Sequence, residues 1–349
     1  MILNIAHIHS SNNNGVCTGH YLPLAGLYKD LFSGTCHVRI VGGPLYSQRF
    51  PSDDVLELPY SIDVRSNGWG CLKKMLSNAI YLFKHTKGQI VVLQDGKPVA
   101  NHICILLCYR KCDLYLIKYH TDGVNKHWKR FLFSLIKHRI KGIICPSDEI
   151  GRAHALPYCV VPDYIYTGSR NSNDWKNYSE RKYDFCCLGR IEPEKGVLEV
   201  AKKYKGSKYN ILIAGNPRSK QLSDELIKIC KDASNIDLRL GYLSDEDYNE
   251  ALHDTRYAML NYHGVYANRS SGVVFDMVFN GVPVVGRKSL ALQFVCDENV
   301  GVLYDDINLF NPEKLFDSVI HNFYLENIKK YFLKHKYFKQ ELATFLGIN

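Results

Sequence analysis

Two short segments carry the residue types best suited to chemistry. Residues 188–196 read LGRIEPEKG, follow an apolar run, and place Arg190 and Lys195 just ahead of a helical pattern. The free N–H groups of a helix start already favour anions, and two cations added there suit a diphosphate. On position and charge alone, a surface turn with scattered charge fits this segment equally well. Residues 261–286 read NYHGVYANRSSGVVFDMVFNGVPVVG. Here Ser270, Ser271 and Gly272 precede an apolar helix and can offer backbone N–H groups to a phosphate; the serines also suit plain N-caps, and the two roles are compatible. Asp276, farther along that helix, can accept hydrogen bonds from vicinal ribose hydroxyls.

Other clusters are weaker. Cys104, Cys108 and Cys112 recur every fourth residue with His102 nearby. On a helix their sulfurs share one side, and without a Cys-x-x-Cys spacing a core face is the better reading than a metal site. His7 and His9 share one side of a strand end and read as cleft lining or simple surface. The carboxylate pairs Asp53–Asp54 and Asp305–Asp306 fall in turn-like or loop segments, so no metal site is expected.

The elements that must position these residues alternate. MILNIAHI, HVRIVGG, QIVVLQD, LYLIKYH, GIICPS and YCVVPDYI read as strands, with the polar loop SSNNNGVCTG after the first. HYLPLAGLYKDLF, CLKKMLSNAIYLFKHT and KHWKRFLFSLIKHRI read as helices; in the second, Leu72, Met75, Ile80 and Phe83 lie near one face. A second alternating series begins at YDFCCLGRI and closes with a helical tail from Pro312. Such alternation predicts parallel sheets covered on both faces, hence two doubly wound α/β domains. The domains expected are residues 1–165, a polar linker 166–182, a second domain 183–325, and C-terminal helices 326–349 that can pack back on the first domain. Ligands of such sheets bind beyond the carboxyl ends of the strands, where both segments above fall.

Composition sets the frame. A chain of 349 residues with 46% hydrophobic and 23% charged residues builds two globular cores. The net charge of +9 sits entirely in residues 1–162, which hold 19 Lys and Arg against 10 Asp and Glu, while the remainder holds 25 of each. That asymmetry points to an anionic partner for the first half: nucleic acid, an acidic glycan or an anionic membrane surface. No nucleic-acid module accompanies the charge, so nucleic acid is not the expected partner. The segment HWKRFLFSLIKHRIK sets Lys126, Lys129, Arg130, Lys137, Arg139 and Lys141 around an apolar stripe with Trp128, Phe131 and Phe133. It reads either as a solvated helix packed on the first sheet or as a helix lying on a membrane interface. Most of the twelve cysteines lie in apolar runs, which fits a reducing cytoplasm. Neither a signal peptide nor a spanning segment is visible, so the protein is expected to be cytoplasmic, with peripheral attachment to the inner face of the cytoplasmic membrane as an option.

Taken in order, LGRIEPEKG, ILIAGNP, LGYLSDEDY and NGVPVVG resemble glycosyltransferase family 4, and the first half fits through KYHTDG and IICPS. The resemblance covers nearly the whole chain. It implies the GT-B architecture of two Rossmann-like domains facing a cleft. The implied activity is transfer of a sugar, with retention of configuration, from a nucleotide-sugar donor to a glycan or lipid-linked glycan in bacterial surface-polysaccharide assembly (lipopolysaccharide, O-antigen or capsule). It implies no metal or other cofactor. Position by position, Arg190 and Lys195 match the basic pair on the donor diphosphate. Asn216 lies near the donor cleft, and Tyr242 and Leu243 match the segment whose backbone reads the base. Gly15 matches the glycine that lets the acceptor domain approach the phosphates, and His120 a cleft histidine touching the sugar or assisting the reaction. The family's two glutamates, with seven residues between them, fall on Asn268 and Asp276. Ribose binding is thus expected to survive at Asp276, while the sugar contact at Asn268 has lost its charge. Two alternatives remain: a non-catalytic GT-B homologue that binds nucleotide or sugar, and a nucleotide-sugar epimerase, whose catalytic acids have no visible place. The lack of G-x-G-x-x-G after any strand argues against a dehydrogenase.

Overall fold

The structure is a computed structural model that describes residues 1–13, 16–17, 21–51, 54–63, 66–162, 164–165, 175–268 and 271–348. Two compact units result, one of residues 1–167 with 336–349 and one of residues 168–335. Gly15 and Ser270 lie outside the described residues, and only the backbone is described at Asn268.

The first unit opens with β1 (Ile2–Ala6), β2 (Ser11–Asn13), β3 (Val16–Cys17), α1 (Tyr21–Phe32), β4 (His37–Gly42), α2 (Pro44–Ser47), β5 (Val55–Glu57) and β6 (Ile62–Asp63). It continues with α3 (Gly68–His85), β7 (Ile90–Gln94), α4 (Pro98–Cys108), β8 (Asp113–Ile117), α5 (His127–Ile136), β9 (Ile140–Cys145), α6 (Asp148–His154) and β10 (Tyr158–Val160). Seven strands form one parallel sheet in the order β10-β9-β8-β7-β1-β4-β5. Runs such as Ile90–Gln94 are buried along their whole length because helices cover both faces. The segment expected to be a plain loop after the first strand instead builds a second, three-stranded sheet, β3-β2-β6.

Two expectations for the helices are corrected. On α3, Met75 and Phe83 are buried but Ile80 is half-exposed at 52%, so the apolar positions do not share one buried face. Along α5 the apolar stripe is split: Phe133 and Ile136 enter the core while Trp128 and Phe131 stay outside. Helix α4 ends at Cys108, so Cys112 lies beyond it; all three cysteines of that series are buried.

The second unit holds β11 (Tyr183–Leu188), α7 (Val197–Tyr204), β12 (Ile211–Gly215), α8 (Lys220–Cys230), β13 (Ile236–Leu240) and α9 (Asp245–His253). After these come β14 (Thr255–Leu260), α10 (Gly272–Phe279), β15 (Val284–Arg287), α11 (Gln293–Asp297), β16 (Gly301–Tyr304) and α12 (Ser318–Leu346). Its sheet is parallel, in the order β13-β12-β11-β14-β15-β16. The tail is one 29-residue helix, α12, whose last turns carry Leu342 and Leu346 into the core of the first unit. Residues 175–182 belong to the second unit: Arg181 is buried and donates to the carbonyls of Lys176 and Thr255.

Both strand orders reverse direction at the first strand. In the first unit the chain winds outward from β1 to β4 and β5, then returns to β7 on the other side of β1. In the second it winds from β11 to β12 and β13 and returns to β14. These reversals open a crevice at the strands' carboxyl ends, the expected ligand position of an open α/β sheet. No described helix is long and apolar enough to cross a membrane.

Candidate functional site

The crevice of the second unit is built from the loops after β11 and β14, the two segments that carry Arg190–Lys195 and Ser271–Gly272. Glycines let them meet. Gly196 has φ +66°, and a Cβ there would lie 2.3 Å from the Asn261 carbonyl oxygen. The two loops are then tied by a hydrogen bond from His263 N to Glu194 O, 2.9 Å. A Cβ on Gly189 would sit 3.2 Å from Val273 Cγ2, so the loop after β11 also runs against the first turn of α10. On its other side, Ile191 N donates to Asn216 O at 3.0 Å and Arg218 N to Ile191 O at 2.9 Å, which joins the loop after β12 to the same rim.

Lys195 is the centre of this arrangement. It is only 8% exposed, and among the described residues its ammonium has no hydrogen bond and no carboxylate within salt-bridge distance. Its neighbours are aromatic faces: Nζ lies 5.9 Å from the ring centroid of Tyr262 and 5.3 Å from that of Tyr266. Burial disfavours the charged form and pulls its pKa down to about 8, partly offset by the more distant Glu192, while Arg190 lowers it further. A buried cation held by ring quadrupoles is a site that gains when an anion arrives.

The helix start beside it is open to the same anion. Ser271 occupies the N-cap of α10, yet its hydroxyl does not accept from the helix amides. It lies 3.0 Å from the Tyr262 hydroxyl instead. The plain-cap reading of Ser271 therefore does not hold, and the N–H groups of Gly272 and Val273 in the first turn have no side-chain cap from it. Arg190 is 64% exposed at the rim, with Nε 3.0 Å from Glu192 Oε1; Arg218 Nη1 reaches Glu192 Oε2 at 3.8 Å.

The remaining donor-side candidates surround this core at different depths. Asn216 is exposed on the loop after β12. Tyr242 is 88% exposed and Leu243 half-buried after β13, where the backbone is anchored by Gly241 N to Gly215 O, 2.9 Å. Asp276 sits in the second turn of α10, and its Oδ2 accepts from Tyr248 Oη at 3.3 Å. Burial, reinforced by Asp276, raises the Tyr248 phenol's pKa and keeps it a donor.

His120 lies in the first unit, on the turn after β8. It is partly exposed, with Nδ1 3.6 Å from Asp122 Oδ2. Beneath it is a buried network absent from the sequence reading. Asp95, at the end of β7, bonds Lys118 Nζ at 2.7 Å, and Lys118 lies 3.4 Å from His102 Nε2. Burial alone would raise the Asp95 carboxyl, but the charge and hydrogen bond of Lys118 outweigh it and hold it below its ordinary value. Burial pushes His102 down to about 3 and His154 to about 4, so both are neutral. His7 and His9 are 1% and 3% exposed, so the surface reading is corrected: His7 stacks on Tyr21 and its Nδ1 meets Tyr46 Oη at 2.7 Å. Asp54 is paired with Lys29 and Asp305 with Lys288, and no metal-binding cluster occurs among the described residues.

Sequence reasoning missed Glu192, Asn261, Tyr262, Tyr266 and Tyr248. Only the placement of NYHGVY directly after a strand hinted at the tyrosines; their packing on Lys195 depends on Gly196 bringing two distant loops together.

No family model matches the chain, and no curated protein sequence does. The fold, however, has clear counterparts among solved structures. A glycosyltransferase from Rickettsia africae superposes with a TM-score of 0.70 at 10% identity, covering 99% of this chain and 98% of that one. HepE of Anabaena, solved in complex with UDP-glucose, gives 0.66 at 12% identity over 99% of both chains. WaaG, a glycosyltransferase involved in lipopolysaccharide biosynthesis, gives 0.62 at 13% identity over the full length of both. At these identities the likeness is one of fold: two parallel-sheet α/β units with a C-terminal helix, the GT-B class.

Proposed function

We propose that the protein is a GT-B glycosyltransferase of the family 4 type. It binds the diphosphate of a nucleotide-sugar between Lys195, Arg190 and the first turn of α10. The observation that carries this reading is the buried Lys195 side chain at the strand-order reversal of the second unit, its ammonium near two tyrosine faces and, among the described residues, with no carboxylate within salt-bridge distance. Similarity of fold to solved glycosyltransferases supports it.

In this mechanism the sugar–phosphate bond breaks and negative charge collects on the departing diphosphate. Lys195, Arg190 and the Gly272 and Val273 amides are placed to stabilise that charge, which is the main electrostatic demand of the step. These groups do the work that a bound cation does elsewhere, so we expect turnover without added metal. Asp276 is positioned to hold ribose hydroxyls, the Tyr242–Leu243 backbone to read the base, and Asn216 to line the donor. His120 keeps the role that the family resemblance gives it. Asn268, Ser270 and Gly15 keep the roles that the family resemblance gives them. Retention of configuration, a hexose as the transferred sugar, and a glycan or lipid-linked glycan acceptor in bacterial surface-polysaccharide assembly complete the proposal.

The test is incubation with UDP-, GDP- and ADP-sugars and glycan acceptors. A transferase releases nucleotide in step with glycan extension, and Arg190→Ala and Lys195→Ala each slow that release severely. Unchanged turnover in both variants would reject the assignment. Because Asn268 replaces a charged residue of the family pattern, a binding protein without turnover is the second reading. Nucleotide binding with no release from any donor would favour it.

A further inference from the structure

One polar group at the strand-order reversal of the first unit is enclosed without a partner. Gln94 ends β7 with no exposure, and among the described residues neither its amide nitrogen nor its amide oxygen makes a hydrogen bond. A buried amide in this state has lost water at both atoms and gained nothing in return, so it calls for a ligand or an ordered water. The direction of its side chain follows from the strand period. Ile90 and Val92 of β7 belong to the core under α1, and Val91 and Leu93 to the core on the opposite face, so Gln94 falls on the α1 side. Register sets its neighbours: Gln94 lies beside Ile117 of β8, and Ile117 beside Ile144 of β9. On the other flank, one step past the Ala6–Leu93 pair, comes His7, with Tyr21 stacked on its ring at 4.0 Å. The row across the strand ends therefore runs His7, Gln94, Ile117, Ile144, from polar to apolar.

A cavity of about 290 Å³, wholly within the first unit, opens at the apolar end of this row. Leu24 and Leu27 of α1, with Tyr119 and Pro146, wall it together with Ile117 and Ile144. Its size is near the lower end of small-ligand sites, roughly 300 Å³. The matching group is short and uncharged, with a donor and an acceptor at one end and a small apolar body at the other. A phosphate or carboxylate does not match, because the lysines that follow β7 and β8 are both engaged. Lys118 Nζ meets Asp95 Oδ2 at 2.7 Å, and Lys97 Nζ donates to the Ser66 carbonyl and Asn67 Oδ1. A water molecule satisfies Gln94 but leaves the apolar wall without contacts. An alkyl group fills the wall but leaves the amide unpaired. An acetamido group does both: its N–H donates to Gln94 Oε1, its carbonyl accepts from Gln94 Nε2, and its methyl packs on Ile117 and Leu24.

We propose that the acceptor is an N-acetylated sugar, with Gln94 reading the acetamido group and the adjoining cavity holding its methyl. Naming this sugar an acceptor rests on the transferase reading given above; its binding does not require turnover.

The test is titration of the full chain, without nucleotide, by saturation-transfer NMR. The probes are the methyl glycosides of N-acetylglucosamine, N-acetylgalactosamine, glucose and galactose, and the same four sugars then serve as acceptors in transfer assays. At least one acetamido sugar should bind about tenfold or more tightly than its plain counterpart, with the strongest saturation at the acetyl methyl. Gln94→Leu, which keeps the bulk and removes the amide, should lower that affinity about tenfold or more, the value of two hydrogen bonds. Leu27→Phe fills the cavity from a half-buried position, leaves Gln94 in place, and should do the same. Both variants should raise the KM for the acetylated acceptor and leave that for the donor unchanged; circular dichroism reports whether they are folded. Equal affinity for acetylated and plain sugars, or binding of neither acetamido sugar, overturns the proposal. So does undiminished binding in the two folded variants, which would assign Gln94 to an ordered water. Acetamido-selective binding with no transfer from any donor would keep the site and reject the transferase reading. Transfer without preference for acetylated acceptors would keep that reading and reject the site.

Discussion

The two strand-order reversals of this chain are built alike and charged differently. Each unit places a lysine at the carboxyl ends of its central strands and buries it: Lys118 at 1% exposure and Lys195 at 8%. Lys118 is met by Asp95 at 2.7 Å, with neutral His102 behind it. Lys195 is met by the rings of Tyr262 and Tyr266. The difference teaches what each crevice can accept. A compensated ion pair presents little net charge, which suits neutral hydroxyls or plain scaffolding. An ammonium with only the more distant Glu192 to oppose it, and no carboxylate within salt-bridge distance among the described residues, holds its place at a cost that an arriving anion removes.

The same substitution at the two lysines should therefore have opposite consequences. Lys118→Met leaves the Asp95 carboxylate buried without its counter-charge, held only by Asn101 Nδ2 at 3.1 Å among the described residues, and should destabilise the protein by about 3–5 kcal/mol in urea denaturation. Lys195→Met removes a disfavoured charge and should leave the unliganded protein as stable as the parent or slightly more so. If both substitutions destabilise alike, the contrast between the crevices fails.

A second experiment sharpens the loop geometry. Gly196→Ala forces a Cβ against the Asn261 backbone at a positive φ, and should cost about 1–3 kcal/mol of stability. It should also separate the loops after β11 and β14, and so weaken nucleotide binding. Gly206, also at positive φ but in open space, should tolerate Ala at a smaller cost. Equal losses at the two glycines would show that the close approach at Gly196 is not what matters.

The pH dependence of Lys195 gives the finest test. Its folded pKa of about 8 lies below that of a free lysine, so between those values the unfolded chain holds more protons than the native one. Stability from this group therefore rises with pH across that window, and the difference between Lys195→Met and the parent should shrink there. Nucleotide affinity runs the other way: above pH 8 it should fall by up to about tenfold per unit as the free protein loses the proton that the phosphate needs. A flat profile across pH 7–9.5 would mean that Lys195 does not carry the interaction.

Much of this was legible in the sequence because strand runs and phosphate-side loops are local features. YDFCCLGR and NILIAGN announce β11 and β12 by apolar runs ending in glycine, and Arg190, Lys195 and Ser271 follow from position alone. What the sequence hid was set by tertiary packing. Ile80 and Phe131 look like core residues by helical period but are exposed, because Met75, Leu82 and Phe133 already fill the core side. His7 and His9 look superficial at the end of a strand but are enclosed. Tyr262, Tyr266 and the Asp95–Lys118 pair join residues from different loops, and no spacing in the chain encodes such contacts.

The account stands or falls on nucleoside diphosphate binding at Lys195. The direct measurement is calorimetric titration of UDP, GDP and ADP into the parent protein and into Lys195→Met at pH 7, both checked for native folding. At least one nucleotide should bind the parent, and the variant should bind it more than about tenfold more weakly, the value of a charge-assisted hydrogen bond. Equal affinity in a folded variant, or binding of none of the three by the parent, would contradict it.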